Sequence, residues 1–245
     1  MMILIYDYIK KIKNRKYSYR FVICPENIGS LAYLKRRGKE LKKNIEAGLI
    51  LNCLANGEEF TYKKTKNGNE TIDKIIINCL KHSGEKYKIV DFFPDGSDER
   101  MYSSQGFNLQ VSSLMRKMYD NLYHPNNYPE YHTSLDNLKV FNMDTFFKTF
   151  DMYKKVIDTY ELNFIPKAKV IYGTPMLSKY DYNLYPSKMD FSINKKKEKI
   201  RILLEILNLS DSKKDLIDMA IEKNFSLLEC KKLINKLLST KLIQN

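Results

Sequence analysis

Strand–helix–strand alternation with short connections through the first hundred residues predicts an α/β fold, a sheet flanked by helices. A change of character in the last fifty residues, to three short helices and a terminal strand, predicts a separate winged-helix module. The bulk properties agree: 245 residues, 29.0 kDa, 43% hydrophobic and 29% charged give a chain that can bury a core. The expected division is 1–192 for the α/β domain and 193–245 for the winged helix.

Residues 3–16 read as a helix, because Ile3, Ile5, Tyr8, Ile9 and Ile12 recur at near-helical spacing among lysines. Tyr19-Arg20-Phe21-Val22-Ile23-Cys24 is a β-prone run stopped by Pro25 and predicts a buried strand opening into a loop. A helix follows from Asn27, a capping residue, to Gly38. Strands are predicted over 47–54, 58–64 and 88–93, with a helix over 71–81 that buries Ile72, Ile75, Ile76 and Leu80. Residues 143–162 form a long amphipathic helix, and the Pro-, Gly- and Tyr-bearing stretch 166–192 reads as an irregular strap. Helices over 199–207, 214–222 and 227–238 and a strand from Lys241 complete the chain.

The net charge of +13 is uneven. Residues 1–50 carry 12 basic against 4 acidic side chains, 51–192 carry 18 of each, and 193–245 carry 12 against 7. Such a surplus can attract nucleic acid, and it equally describes lysines solvated on helix faces. No apolar run approaches the roughly 18–20 residues that cross a bilayer, and Asp7 interrupts the N-terminal apolar stretch, so neither a membrane span nor a secretory signal is expected. The four cysteines are far apart and lack CxxC spacing, which fits a reducing cytoplasm better than a disulfide framework.

Three polar clusters fall where chemistry would be placed. Pro25-Glu26-Asn27-Ile28-Gly29-Ser30 sets a carboxylate at a predicted strand end, where α/β sheets gather ligands. Glu26 can equally be a helix-start acid that complements the dipole. Pro94-Asp95-Gly96-Ser97-Asp98-Glu99-Arg100 follows another predicted strand. Its carboxylates beside Arg100 suit a metal surround or an amine-bearing substrate, or else an exposed turn. Tyr131-His132-Thr133-Ser134-Leu135-Asp136 contains one of only three histidines, a residue type that ligates zinc or serves structure.

Taken together with their flanks, these clusters resemble the zinc aminopeptidase-like superfamily that includes bacterial leucyl aminopeptidases and glutaminyl cyclases. More narrowly, they are similar to its branch of polysaccharide biosynthesis proteins with an aminopeptidase-like domain. The segments that carry the resemblance are Tyr19-Arg20-Phe21 with Pro25 to Leu34, Gly96 to Arg100 with Gly106-Phe107-Asn108-Leu109, and Tyr131 to Asp136; residues 199–245 match the winged helix of that branch. The resemblance implies a zinc-dependent hydrolase of an amide bond, in a peptide or an amino-modified sugar. Glu26 falls on the general-base position, His132 on the last zinc-binding histidine and Asp98 on an aspartate near the metals, with Arg100 expected to orient substrate. Asn27 and Asn52 stand where catalytic relatives carry carboxylate ligands.

The match covers the C-terminal half of the branch's pattern, so the segment with the first metal ligands is expected from a companion chain or a homo-oligomer. A second reading places the function in a non-catalytic winged helix. Lys231, Lys232 and Lys236 lie on its third helix, but the module holds seven acids and no arginine after Arg201, which favours a protein partner over nucleic acid.

Overall fold

The structure, a computed structural model, describes residues 1–125, 128–178 and 194–245, without side chains for 194–196. It is a mixed α/β protein in two compact units, Met1–Ile157 and Asp158–Asn245.

In the first unit a four-stranded sheet has the order β1 (Gly48–Ile50), β4 (Val111–Met115), β2 (Phe60–Lys63), β3 (Tyr87–Val90). β1 runs parallel to β4, β4 antiparallel to β2, and β2 parallel to β3. The two central strands are buried at every position, and the edge strand β3 alternates exposed with half-buried residues. That contrast is what burial on two faces against one produces. Helix α1 (Met2–Lys11) buries Ile5 and Ile9. Helix α2 (Ile28–Asn44) brings Leu34 and Leu41 onto Tyr102, Leu109 and Val111. Gly38 lets the Phe107 ring approach so closely that a Cβ there would lie 2.2 Å from it.

Helix α3 (Thr71–Lys81) is tied to the sheet through Asp73, which is 1% exposed. Its carboxylate accepts hydrogen bonds from the Tyr62 hydroxyl at 2.7 Å, the Thr65 N–H at 2.8 Å, the Thr65 hydroxyl at 2.5 Å and the Glu70 N–H at 2.8 Å. Burial, followed by the Asp73 charge, raises the Tyr62 phenol well above its usual value, so Tyr62 stays a donor. The short helix α4 (Glu99–Tyr102) follows β3, and the long helix α5 (Met143–Leu162) runs across the divide between the units.

The second unit contains α6 (Asn194–Leu209), α7 (Leu216–Glu222) and α8 (Lys231–Ser239), with β5 (Lys167–Ala168) antiparallel to β6 (Ile243–Gln244). Asp215 caps α7 by accepting from the Asp218 N–H, and Asn163 braces it by accepting from the Ile217 N–H and donating to Asp215. Lys214–Glu222, Lys223–Glu205 and Lys231–Asp158 are ion pairs within this unit. The sequence reading opened the module at 193, whereas the compact unit opens at Asp158 because the ladder of β6 is completed by β5.

The structure corrects several expected elements. Tyr19–Cys24 is irregular and not a strand. The strand expected over 47–54 is confined to 48–50, since Cys53 takes a positive φ of 47° and turns the chain. β4, with buried serines in its middle, carries no period-2 pattern and was not anticipated. The third helix begins at 231 instead of 227, and much of the expected strap (179–193) lies outside the described residues. Among the described residues no helix is long and apolar enough to cross a membrane.

Asp73→Ala would strand several buried donors at once, and each orphaned group costs about 1–3 kcal/mol. Urea denaturation is expected to show a loss of at least about 3 kcal/mol, with Asp73→Asn milder; a loss below about 1 kcal/mol would contradict the role given to Asp73.

Candidate functional site

The site begins with a strained turn. Asn27 has φ 59° and ψ −65°, and the Ile28 N–H donates to the Glu26 carbonyl at 2.7 Å. This i to i+2 bond around a positive-φ residue is the rarer, strained form of γ-turn. Such strain persists only where surroundings over-determine it, and it concentrates at functional sites. Two contacts do so here. The Asn27 N–H donates to Asp98 Oδ1 at 2.7 Å, and the Ser97 hydroxyl donates to Glu26 Oε1 at 2.9 Å. A third constraint is Gly29, where a Cβ would sit 2.7 Å from Cys24 Cβ and 2.8 Å from Pro25 Cδ. Glu26 is thus presented to solvent from a turn held by the segment 71 residues away.

That segment is itself anchored beneath. Lys63, at the end of β2, pairs with Glu99 at 2.6 Å, and both side chains are fully buried. Lys63 Nζ also donates to the Asp95 carbonyl at 2.9 Å and lies 3.7 Å from the centre of the Phe93 ring. Glu99 accepts from the Tyr119 hydroxyl at 3.0 Å and the Ser113 hydroxyl at 3.2 Å. Burial draws the Lys63 ammonium below its ordinary pKa, while Glu99 opposes that shift. The Tyr119 phenol is pushed well up, by burial and then by the Glu99 charge. Gly96, at φ 100°, admits the Tyr119 ring where any Cβ would collide with it. The loop 95–99 is therefore fixed from the core side by a buried ionic cluster.

Around the turn stand Asp95, Cys53 and Tyr131. The Leu122 N–H, and then the Gly96 N–H, hold the Asp95 carboxyl below its usual range. Burial raises the Cys53 thiol to about 12, helped by Asp136 and Glu26, so it is no nucleophile at neutral pH. The Tyr131 phenol is raised by burial and by the charge of Glu26. Arg100 Nη1 lies 4.0 Å from Asp95, and its Nε is buried without a hydrogen-bond partner.

Of the residues singled out in the sequence, Glu26 and Asp98 are brought together and Arg100 lies against Asp95. His132 is exposed at a positive φ of 58°, its ring stacked on Tyr131 at 3.8 Å, and Tyr131 in turn feels Glu26. Asp136, four residues on, accepts from the Tyr128 hydroxyl at 2.9 Å. The amide oxygens of Asn27 and Asn52 are both buried without a partner. Among the described residues no three His, Cys, Asp or Glu side chains gather as a metal site. A zinc ion needs about three protein ligands, so the described residues do not by themselves fit the metal that the resemblance implies. Lys63 and Tyr119 lie outside the clusters read from the sequence, and Ser97 lies inside one without a role assigned to it; a lone lysine closing a buried strand was the available signal for the first.

Comparison with known proteins places this geometry. The family model described as "Domain of unknown function (DUF4910)" matches residues 1–163. The chain belongs to the DUF4910 family. A winged helix-turn-helix model matches residues 166–245 of this DUF4910 protein. It is 39% identical over 218 residues to a Clostridium acetobutylicum protein named "Putative polysaccharide biosynthesis protein with aminopeptidase-like domain", covering 86% of this chain and 46% of the relative. A crystal structure from the same organism, described as a "putative peptidase", superposes with a TM-score of 0.84 at 35% identity over 98% of this chain and 51% of that one. The chain thus spans about half the length of the relatives it matches.

Lys63→Met leaves Glu99 buried and unpaired, which costs about 3–5 kcal/mol. The double change Lys63→Met with Glu99→Leu is expected to recover much of that loss in urea denaturation; a single variant within about 1 kcal/mol of wild type would contradict the cluster's role.

Proposed function

We propose that this DUF4910 protein supplies the general-base side of a peptidase-like hydrolase site that cleaves the amide bond of a peptide or an amino-modified sugar. The observation that carries the reading is Glu26, exposed on a strained turn that Asp98 and Ser97 hold in place. Glu26 takes a proton from water as the water oxygen adds to the amide carbon. It returns that proton to the nitrogen as the C–N bond breaks. Asp98 keeps the turn in register, and Arg100 orients substrate beside Asp95. The names of the two Clostridium relatives support a hydrolase of this kind.

Zinc enters this reading as a jointly held ion. His132 gives one ligand, and the others come from a companion chain corresponding to the unmatched half of the relatives or from a second copy in a homo-oligomer. None of the four cysteines is in a disulfide, which supports a cytoplasmic setting for the reaction. The winged helix serves protein packing, with several of its lysines engaged in ion pairs.

Two measurements test the reading on the chain co-expressed with the unmatched half of the Clostridium relative. Hydrolysis of aminoacyl amides is expected to fall at least about a hundredfold with Glu26→Gln, and an unchanged rate removes Glu26 as base. Elemental analysis is expected to find zinc in the complex, lost with His132→Ala, and well under one zinc per chain in the protein alone. Zinc retained in that variant overturns the ligand assignment.

A further inference from the structure

The segment before the turn is a strand in composition that pairs with no strand among the described residues. Arg20-Phe21-Val22-Ile23-Cys24 combines β-branched and aromatic residues. Yet these five residues make no backbone–backbone hydrogen bond with any described residue. The segment reaches α2 at its two ends: Arg20 donates to the Tyr33 hydroxyl at 3.1 Å and to Glu40 at 2.6 Å, and Cys24 Sγ lies 3.7 Å from Ser30 Oγ. Between them, Phe21 meets the Tyr6 ring edge-on at 6.0 Å and Ile23 is 86% exposed. The apolar exposure continues on both flanks, with Ile3 at 77% on α1 and Ile28 at 79% on α2. A row of unpaired N–H and C=O groups beside exposed isoleucines is a template for strand addition.

We infer that Arg20–Cys24 is a latent strand, completed by a strand of polypeptide corresponding to the half of the relatives that this chain does not match. The length relation identifies the occupant: a solved structure that shares this fold at a TM-score of 0.84 and a relative 39% identical to this chain each carry about as much chain again as is matched here. Pairing would satisfy the backbone groups of the segment, and the added half would cover Ile3, Ile23 and Ile28. It would also stiffen the run that enters the Glu26 turn. The inference rests on the proposed hydrolase reading only for that last consequence; the docking itself is independent of chemistry.

The test co-expresses the full chain with the unmatched half of the Clostridium acetobutylicum relative and follows amide hydrogen exchange by mass spectrometry. A one-to-one complex is expected, with the 20–24 amides exchanging at least about tenfold more slowly than in the chain alone. Val22→Pro, which removes one pairing N–H, and Ile23→Lys, which places a charge on an exposed position, are each expected to abolish co-purification. The Ile23→Lys chain should keep the unfolding midpoint of the free wild type. No complex, a complex in which 20–24 exchange as before, or undiminished binding by the Ile23→Lys chain would each overturn the inference. A complex with protected 20–24 amides and no hydrolysis upholds the docking and defeats the hydrolase reading alone.

Discussion

The ion pair between Lys63 and Glu99 is the constraint on which the site depends. Two charges with no solvent exposure survive only when every remaining polar valence is met, and here Tyr119, Ser113 and the Asp95 carbonyl meet them. A hydrophobic pair of equal volume would stabilise the core as well or better. What the charged cluster adds is position. It fixes the backbone of 95–99, so that Asp98 and Ser97 reach the turn at 26–27 from a defined height. The strain of Asn27 then becomes tolerable, because its N–H has the half-buried Asp98 carboxylate to find.

The order of causes runs from the sheet outward. β2 and β4 are buried along their whole length and give Lys63 and Ser113 fixed backbones. Gly96 allows the Tyr119 ring to close over the pair, and Gly29 allows α2 to start against Pro25. Small residues at these two points are what bring a strand end, a loop and a helix start within hydrogen-bonding distance.

Much of the α/β unit was legible from periodicity. α3 shows its buried face at 72, 75, 76 and 80, and the division into an α/β part and a winged helix follows from the change in element length. β4 was not legible, because a strand buried on both faces has no alternation to read, and its two serines look like loop. The error at 19–24 has the opposite origin. The residues have strand propensity, and propensity is realised only when a partner strand is present. In the site, Glu26 and Asp98 were legible as acids beside glycines at element ends. Their meeting was not, since nothing local encodes a contact across 71 residues. Nor was Lys63, whose charge reads as surface until Glu99 is known to pair with it.

Under the proposed hydrolase reading, the chain is one rigidly built part of a catalytic centre: a base on a strained turn, a clamp, a buried anchor, and an approach segment without a backbone partner among the described residues. The central claim is that the clamp, and not Glu26 alone, makes the turn competent. Amide hydrolysis by the completed complex carrying Asp98→Ala tests this most directly, with kcat and KM measured separately. The account predicts that kcat falls at least about tenfold, the cost of a misplaced base, with KM and the unfolding midpoint little changed. An unchanged kcat would contradict it.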